Sequence, residues 1–76
     1  MNDNPSISII VPVLNEEGSL DIFYSETFNA LRGIPEWEII FIDDGSNDSS
    51  FSIIKDIALK NNNVIGIQLL KNFADL

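Results

Sequence analysis

Three apolar runs separated by two amphipathic stretches organise this chain. Ser6 to Leu14 (Ser-Ile-Ser-Ile-Ile-Val-Pro-Val-Leu) is almost continuously β-branched, as expected of a strand covered on both faces. Pro12 has no N–H to give to a ladder, so it should lie at the strand's end. Leu20, Phe23, Tyr24, Thr27, Phe28 and Leu31 then recur at helical spacing and lay one apolar stripe along a helix. Asn15 is placed to cap that helix, with Glu16 and Glu17 near its positive end. Gly33 and Pro35 terminate it. Trp37 to Ile42 predicts a second strand. A second helix is expected from Ser49 to Lys60, with Phe51, Ile54, Ile57 and Ala58 inward and Asn61-Asn62-Asn63 as its exit. Val64 to Leu70 predicts a third strand. The order β-α-β-α-β with short links predicts an α/β fold, its parallel strands in spatial order 3-2-1 and joined by right-handed crossovers.

Composition narrows the chemistry. At 76 residues the chain is at most one small domain, and a fold of this size buries only about 60% of the surface its unfolded chain exposes. It has no cysteine and no histidine, so thiolate metal sites and imidazole acid–base chemistry are excluded. Any metal chemistry must run on carboxylates, which favours hard ions such as Mg²⁺ or Mn²⁺. Twelve acids against four bases give a net charge of −8; that surface repels a phosphate backbone, so nucleic acid is not an expected partner. No apolar run approaches the ~20 residues that span a bilayer, and the polar start Met1-Asn2-Asp3-Asn4-Pro5 is unlike a signal peptide. The expected location is cytoplasmic.

The candidate chemistry lies where the first two apolar runs stop. Phe41-Ile42 gives way to Asp43-Asp44-Gly45-Ser46-Asn47-Asp48, and Val13-Leu14 to Asn15-Glu16-Glu17. Both places are carboxyl ends of strands, the rim at which α/β sheets bind ligands. Pro12, Asn15, Glu16, Asp43 and Asp44 are therefore expected to converge on one crevice. Asp43 directly follows four apolar residues and can accept hydrogen bonds from a base N–H or a ribose hydroxyl. Asp44-Gly45 also reads as a simple turn, with Ser46, Asn47 or Asp48 capping the next helix. Glu16 alone also reads as dipole complementarity at a helix start. Trp37, at a strand start, is expected to pack rather than stack on a ligand, and Lys71 and Asn72 follow the third strand.

Three blocks carry a resemblance: Ile10-Val11-Pro12-Val13-Leu14-Asn15-Glu16-Glu17, Ile40-Phe41-Ile42-Asp43-Asp44-Gly45-Ser46-Asn47-Asp48-Ser49-Ser50, and Leu70-Lys71-Asn72-Phe73. Their order and spacing resemble family 2 glycosyltransferases of the GT-A fold, most closely the polyprenyl-phosphate branch. That family's pattern reads Val-Pro-x-x-Asn-Glu, then Asp-Asp-Gly-Ser-x-Asp-x-Ser/Thr, then Ser/Lys-Arg-Asn-Phe-Gly. Ala74 stands where the family usually has glycine. The resemblance implies a three-layer, Rossmann-like parallel sheet, of which residues 1–76 are the N-terminal nucleotide-binding part. It implies that Pro12 and Glu16 line the nucleotide pocket, that Asp43 meets a uracil or guanine base, and that Asp44 lies toward the ribose. Asn72 and Phe73 would lie near the start of the acceptor side. The implied reaction is inverting transfer of a sugar from a UDP- or GDP-linked donor to polyprenyl phosphate, at the cytoplasmic face of the membrane. The family's Asp-x-Asp motif, which holds the divalent cation (Mg²⁺ or Mn²⁺), is expected beyond Leu76. This chain alone is thus expected to bind no metal and to be inactive.

Two other readings belong to different classes. One is a non-catalytic, stand-alone module that binds a nucleotide or a partner. The other is a receiver-like acidic pocket binding Mg²⁺ for phosphotransfer; such domains place a phosphorylatable aspartate after the third strand, where this chain has Lys71-Asn72. Finally, the resemblance implies that the first strand lies inside the family's sheet with further strands beside it. In residues 1–76 alone Ile7-Ser8-Ile9-Ile10-Val11 is expected to be an unguarded apolar edge, which predicts a homo-dimer through antiparallel pairing of two first strands.

Overall fold

Each expected strand and helix forms, within a few residues of its expected bounds, in a computed structural model that describes residues 5–70. The elements are β1 (Ile7–Val13), α1 (Leu20–Ala30), β2 (Trp37–Asp43), α2 (Ser50–Lys60) and β3 (Val64–Gln68). The sheet has the order β1-β2-β3, and both pairings are parallel. Ile9 stands beside Ile39 and Ile39 beside Val64, while Val11, Phe41 and Gly66 form the next row. Lys71, Asn72, Phe73 and Ala74 lie outside the described residues.

One face of the sheet carries the core. Trp37, Ile39, Phe41, Val13 and Val64 meet Leu20 from α1 and Ile54 and Ile57 from α2 in a single buried cluster. Tyr24, Leu31, Phe51 and Ala58 pack around it half-buried. The apolar stripes expected on the two helices therefore face the same side of the sheet. Trp37 packs as expected, its ring 6.4 Å from Tyr24 and 6.2 Å from Phe28.

Two expectations need correction. β1 stands at the sheet's edge among the described residues, as the expected order has it, but it is not covered on both faces: Ile10, on the side away from the helices, is 62% exposed. Consecutive crossovers of one hand put both helices on one side, so the described residues supply two of the three expected layers. On the open side Ser8 Oγ donates to Glu38 Oε2 at 2.6 Å, which gives that buried carboxylate a partner.

The second correction concerns Asn15, which does not cap α1. The helix starts four residues later, with Ser19 at the N-cap position, and Asn15 takes the left-handed conformation with φ 54°. A residue in that conformation cannot begin a right-handed helix. The turn between them closes through the Ser19 N–H and the Glu16 carbonyl at 3.1 Å.

Candidate nucleotide site

The loops that follow β1 and β2 lie side by side at the carboxyl end of the sheet. Their backbones continue the ladder past the strands: Asp44 N–H donates to the Val13 carbonyl at 2.9 Å, and Leu69 N–H to the Asp43 carbonyl at 2.9 Å. Side chains then join the loops in both directions. The amides of Asn15, Glu16 and Glu17 donate in turn to Ser46 Oγ (2.9 Å), Ser50 Oγ (2.8 Å) and Asp48 Oδ2 (3.2 Å). In return, Asn15 Oδ1 accepts from Asn47 N–H at 2.8 Å and Glu17 Oε1 from Ser49 N–H at 2.8 Å.

Successive N–H groups beside a left-handed residue make a concavity suited to an anion. Here loop atoms fill it, so those three amides are not free for a phosphate. The acids are similarly committed. Asp43 is fully buried, and its carboxylate accepts from the Ser46 hydroxyl and, at 3.3 Å, from Ser46 N–H. Asp48 accepts Ser50 N–H on Oδ1 at 2.9 Å. A hydrogen bond from the Ser50 side chain is the main cause holding the Asp48 carboxyl below the ordinary carboxylate range. The amides of Ser50 and Glu17 add to this, against an opposing push from desolvation. Two serine hydroxyls thus each receive a loop amide, and that of Ser46 also reaches a carboxylate.

The five candidate residues separate into groups. Pro12 and Glu16 line an open cleft of about 370 Å³ beside the β1 edge, together with Val13, Ser19, Phe23 and Glu26. Ser19 Oγ donates to Glu16 Oε2 at 3.0 Å, which orients that carboxylate. Asn15 and Asp43 are connected to each other through Ser46 and are not in the cleft lining. Asp44 is half-buried on the rim. Sequence reasoning missed Ser46 and Ser50 as contacts between loops, because Ser46 reads as a local cap of α2 and Ser50 as a residue of the helix itself. A usable signal was there: Ser46 to Ser50 offers more capping side chains than one helix start needs. Among the described residues no three carboxylates come together as a metal site, and no helix is long and apolar enough to cross a membrane.

Comparison with known proteins agrees with the three sequence blocks. The family model described as Glycosyl transferase family 2 matches residues 8–75. The chain is 37% identical over 75 residues to the undecaprenyl-phosphate 4-deoxy-4-formamido-L-arabinose transferase of Pectobacterium atrosepticum, covering 96% of this chain and 23% of that protein. It is 42% identical over 69 residues to a prophage bactoprenol glucosyl transferase homolog of Escherichia coli K12, covering 88% of this chain and 22% of the relative. The bactoprenol glucosyl transferase of Shigella phage SfX is also 42% identical over 69 residues. The chain thus spans less than a quarter of the length of these relatives. A match over nearly every described residue, on a parallel sheet whose two acidic rims adjoin, leads to one conclusion: this chain belongs to glycosyl transferase family 2.

Proposed function

We propose that this chain is the nucleoside-recognising part of a glycosyl transferase that moves a sugar from a UDP- or GDP-linked donor to a polyprenyl phosphate. The observation that carries the reading is the joined rim at the carboxyl ends of two parallel strands, where Pro12 and Glu16 line a cleft and the Asp44 amide bonds the Val13 carbonyl. Glu16 and Asp44 offer acceptors to base N–H groups and ribose hydroxyls. Asp43, enclosed by Ser46, acts on the ligand through the loop it organises, or directly once it leaves that hydroxyl. The relatives' names, undecaprenyl-phosphate and bactoprenol transferases, support a lipid phosphate as acceptor. A working place at the cytoplasmic face of the membrane is proposed with that acceptor, a lipid that lies in the membrane.

The same geometry separates the two ends of the donor. Acidic Glu16 and Asp44 disfavour an anionic diphosphate, and the three loop amides are already bonded. The described residues do not fit a metal. A divalent cation, Mg²⁺ or Mn²⁺ in the full-length enzyme, would be held by other residues, where it would neutralise diphosphate charge. A lipid phosphate is already anionic and needs little general-base help, in keeping with a rim that has no histidine. The chain by itself is therefore proposed to bind nucleotide without transferring sugar. We further propose a homo-dimer through β1, whose outer edge has no partner strand among the described residues.

The test is titration of the isotope-labelled chain with UDP and with GDP, followed by amide chemical shifts. Shift changes confined to residues around Pro12, Glu16 and Asp44, with a Kd of about millimolar strength, are expected for at least one nucleotide. Flat titrations with both would refute the reading.

A further inference from the structure

We propose that Ser46 and Ser50 are positioning residues of this nucleotide site, whose hydroxyls fix the Asn15 and Glu16 amides and so set where Glu16 stands. This rests on the reading above, in which Glu16 faces the nucleotide.

A hydroxyl has one proton to give and lone pairs to receive with; Ser46 uses both capacities, and Ser50 receives an amide in the same sense. Ser46 gives its proton to the Asp43 carboxylate and receives the Asn15 N–H at 2.9 Å. Ser50 receives the Glu16 N–H at 2.8 Å, and its own main-chain N–H donates to Asp48 Oδ1 at 2.9 Å. Two hydroxyls thus receive the amides of consecutive residues of the first loop, and through Ser46 the line runs on to a carboxylate, each bond polarising the next. Alanine can fill neither role, whereas threonine can fill both.

Ser50 is fully buried, so no ligand reaches it in this structure and its influence must pass through Glu16. The contact is also long-range: 34 residues separate the two. On the other side, the Glu16 carboxylate is held by Ser19 at 3.0 Å within the cleft lining. Glu16 is consequently fixed at both its main chain and its side chain, and only the main-chain anchor comes from the second loop.

The experiment compares the 76-residue chain with Ser50→Ala, Ser50→Thr, Ser46→Ala and, as a control in the core away from the rim, Ile57→Val. Three quantities are measured: the Kd for UDP and GDP, amide hydrogen exchange, and thermal stability. Ser50→Ala should weaken binding about fivefold, the effect of losing one hydrogen bond at the contact residue. It should also speed exchange at the Glu16 amide while leaving Ile39 protected, and Ser50→Thr should restore both. Ser46→Ala should do the same at Asn15 and provides the test if Ser50→Ala does not fold. Ile57→Val should lower stability and leave Kd unchanged. Binding by a serine variant equal to that of the parent chain would overturn the proposal while leaving the reading of the site intact. So would an equal weakening by Ile57→Val, which would reduce the serines to general stability. A parent chain that binds neither nucleotide would remove the reading, and this proposal with it.

Discussion

The backbone of Gly66 in β3 lies so close to Ile54 in α2 that a Cβ placed on the glycine would stand 2.6 Å from the isoleucine Cγ2. Ile54 is fully buried and belongs to the central cluster, so it has little room to retreat. Gly66→Ala should therefore destabilise the chain by about 1–3 kcal/mol, the usual cost of overpacking a filled core. Urea denaturation monitored by far-UV circular dichroism would check it; an unchanged midpoint would mean that α2 can slide on the sheet.

Asn15 separates a backbone requirement from a side-chain one. Its left-handed conformation (φ 54°) favours glycine, whereas its Oδ1 accepts the Asn47 N–H at 2.8 Å. Asn15→Gly loses only the acceptor, but Asn15→Ala also strains the backbone. The alanine variant should be less stable than the glycine variant by about 1 kcal/mol. The reverse order would show that the loop adopts a different conformation in solution.

Asp48 makes stability depend on acid pH in a definite direction. Its folded carboxyl is held below the ordinary value by Ser50 and by backbone amides. A depressed folded value means that the unfolded chain binds the proton more tightly. The contribution is therefore fully present above the unfolded value of about 3.9 and disappears as pH falls through the lower folded value. Asp48→Asn should flatten this part of the pH–stability curve and leave the neutral-to-alkaline part parallel to the parent's. A parent curve with no acid slope beyond that of the variant would contradict the assignment.

Association through β1 should respond to salt. The net charge of −8 opposes bringing two copies together, whereas the edge has no partner strand among the described residues and Ile10 is exposed. Screening shortens the reach of the repulsion, so sedimentation should show more dimer at high ionic strength than at low. A monomer at high salt and high protein concentration would exclude this edge as an interface.

The parts of the fold legible in the sequence are those written in periodicity. Leu20, Tyr24, Ile54 and Ile57 were placed inward by helical spacing, and all four pack in or against the core. Strand alternation also carries the direction of Asp43. Asp43 shares its parity with Ile39 and Phe41, so the strand sends its carboxylate to the helix side, where it is enclosed. Reading it only as the end of an apolar run placed it on an open rim. The joining of the loops was illegible for a different reason. Ser46 and Asp48 have good local uses as caps and Ser50 a place in the helix, and nothing local reveals partners 31 to 34 residues away.

The joined loops also decide when the disorder of the rim is lost. Fixing one residue's backbone costs about 1–2 kcal/mol of entropy, so ordering Asn15, Glu16 and Glu17 only on contact with a ligand would cost several. A ligand of millimolar affinity has only about 4 kcal/mol of binding free energy in all, and a loop that had to be ordered each time would consume most of it. Because Ser46, Ser50 and Asp48 already hold those three amides, the cost falls on folding. The unliganded rim then needs little rearrangement to receive a nucleoside, and weak contacts suffice to register as binding.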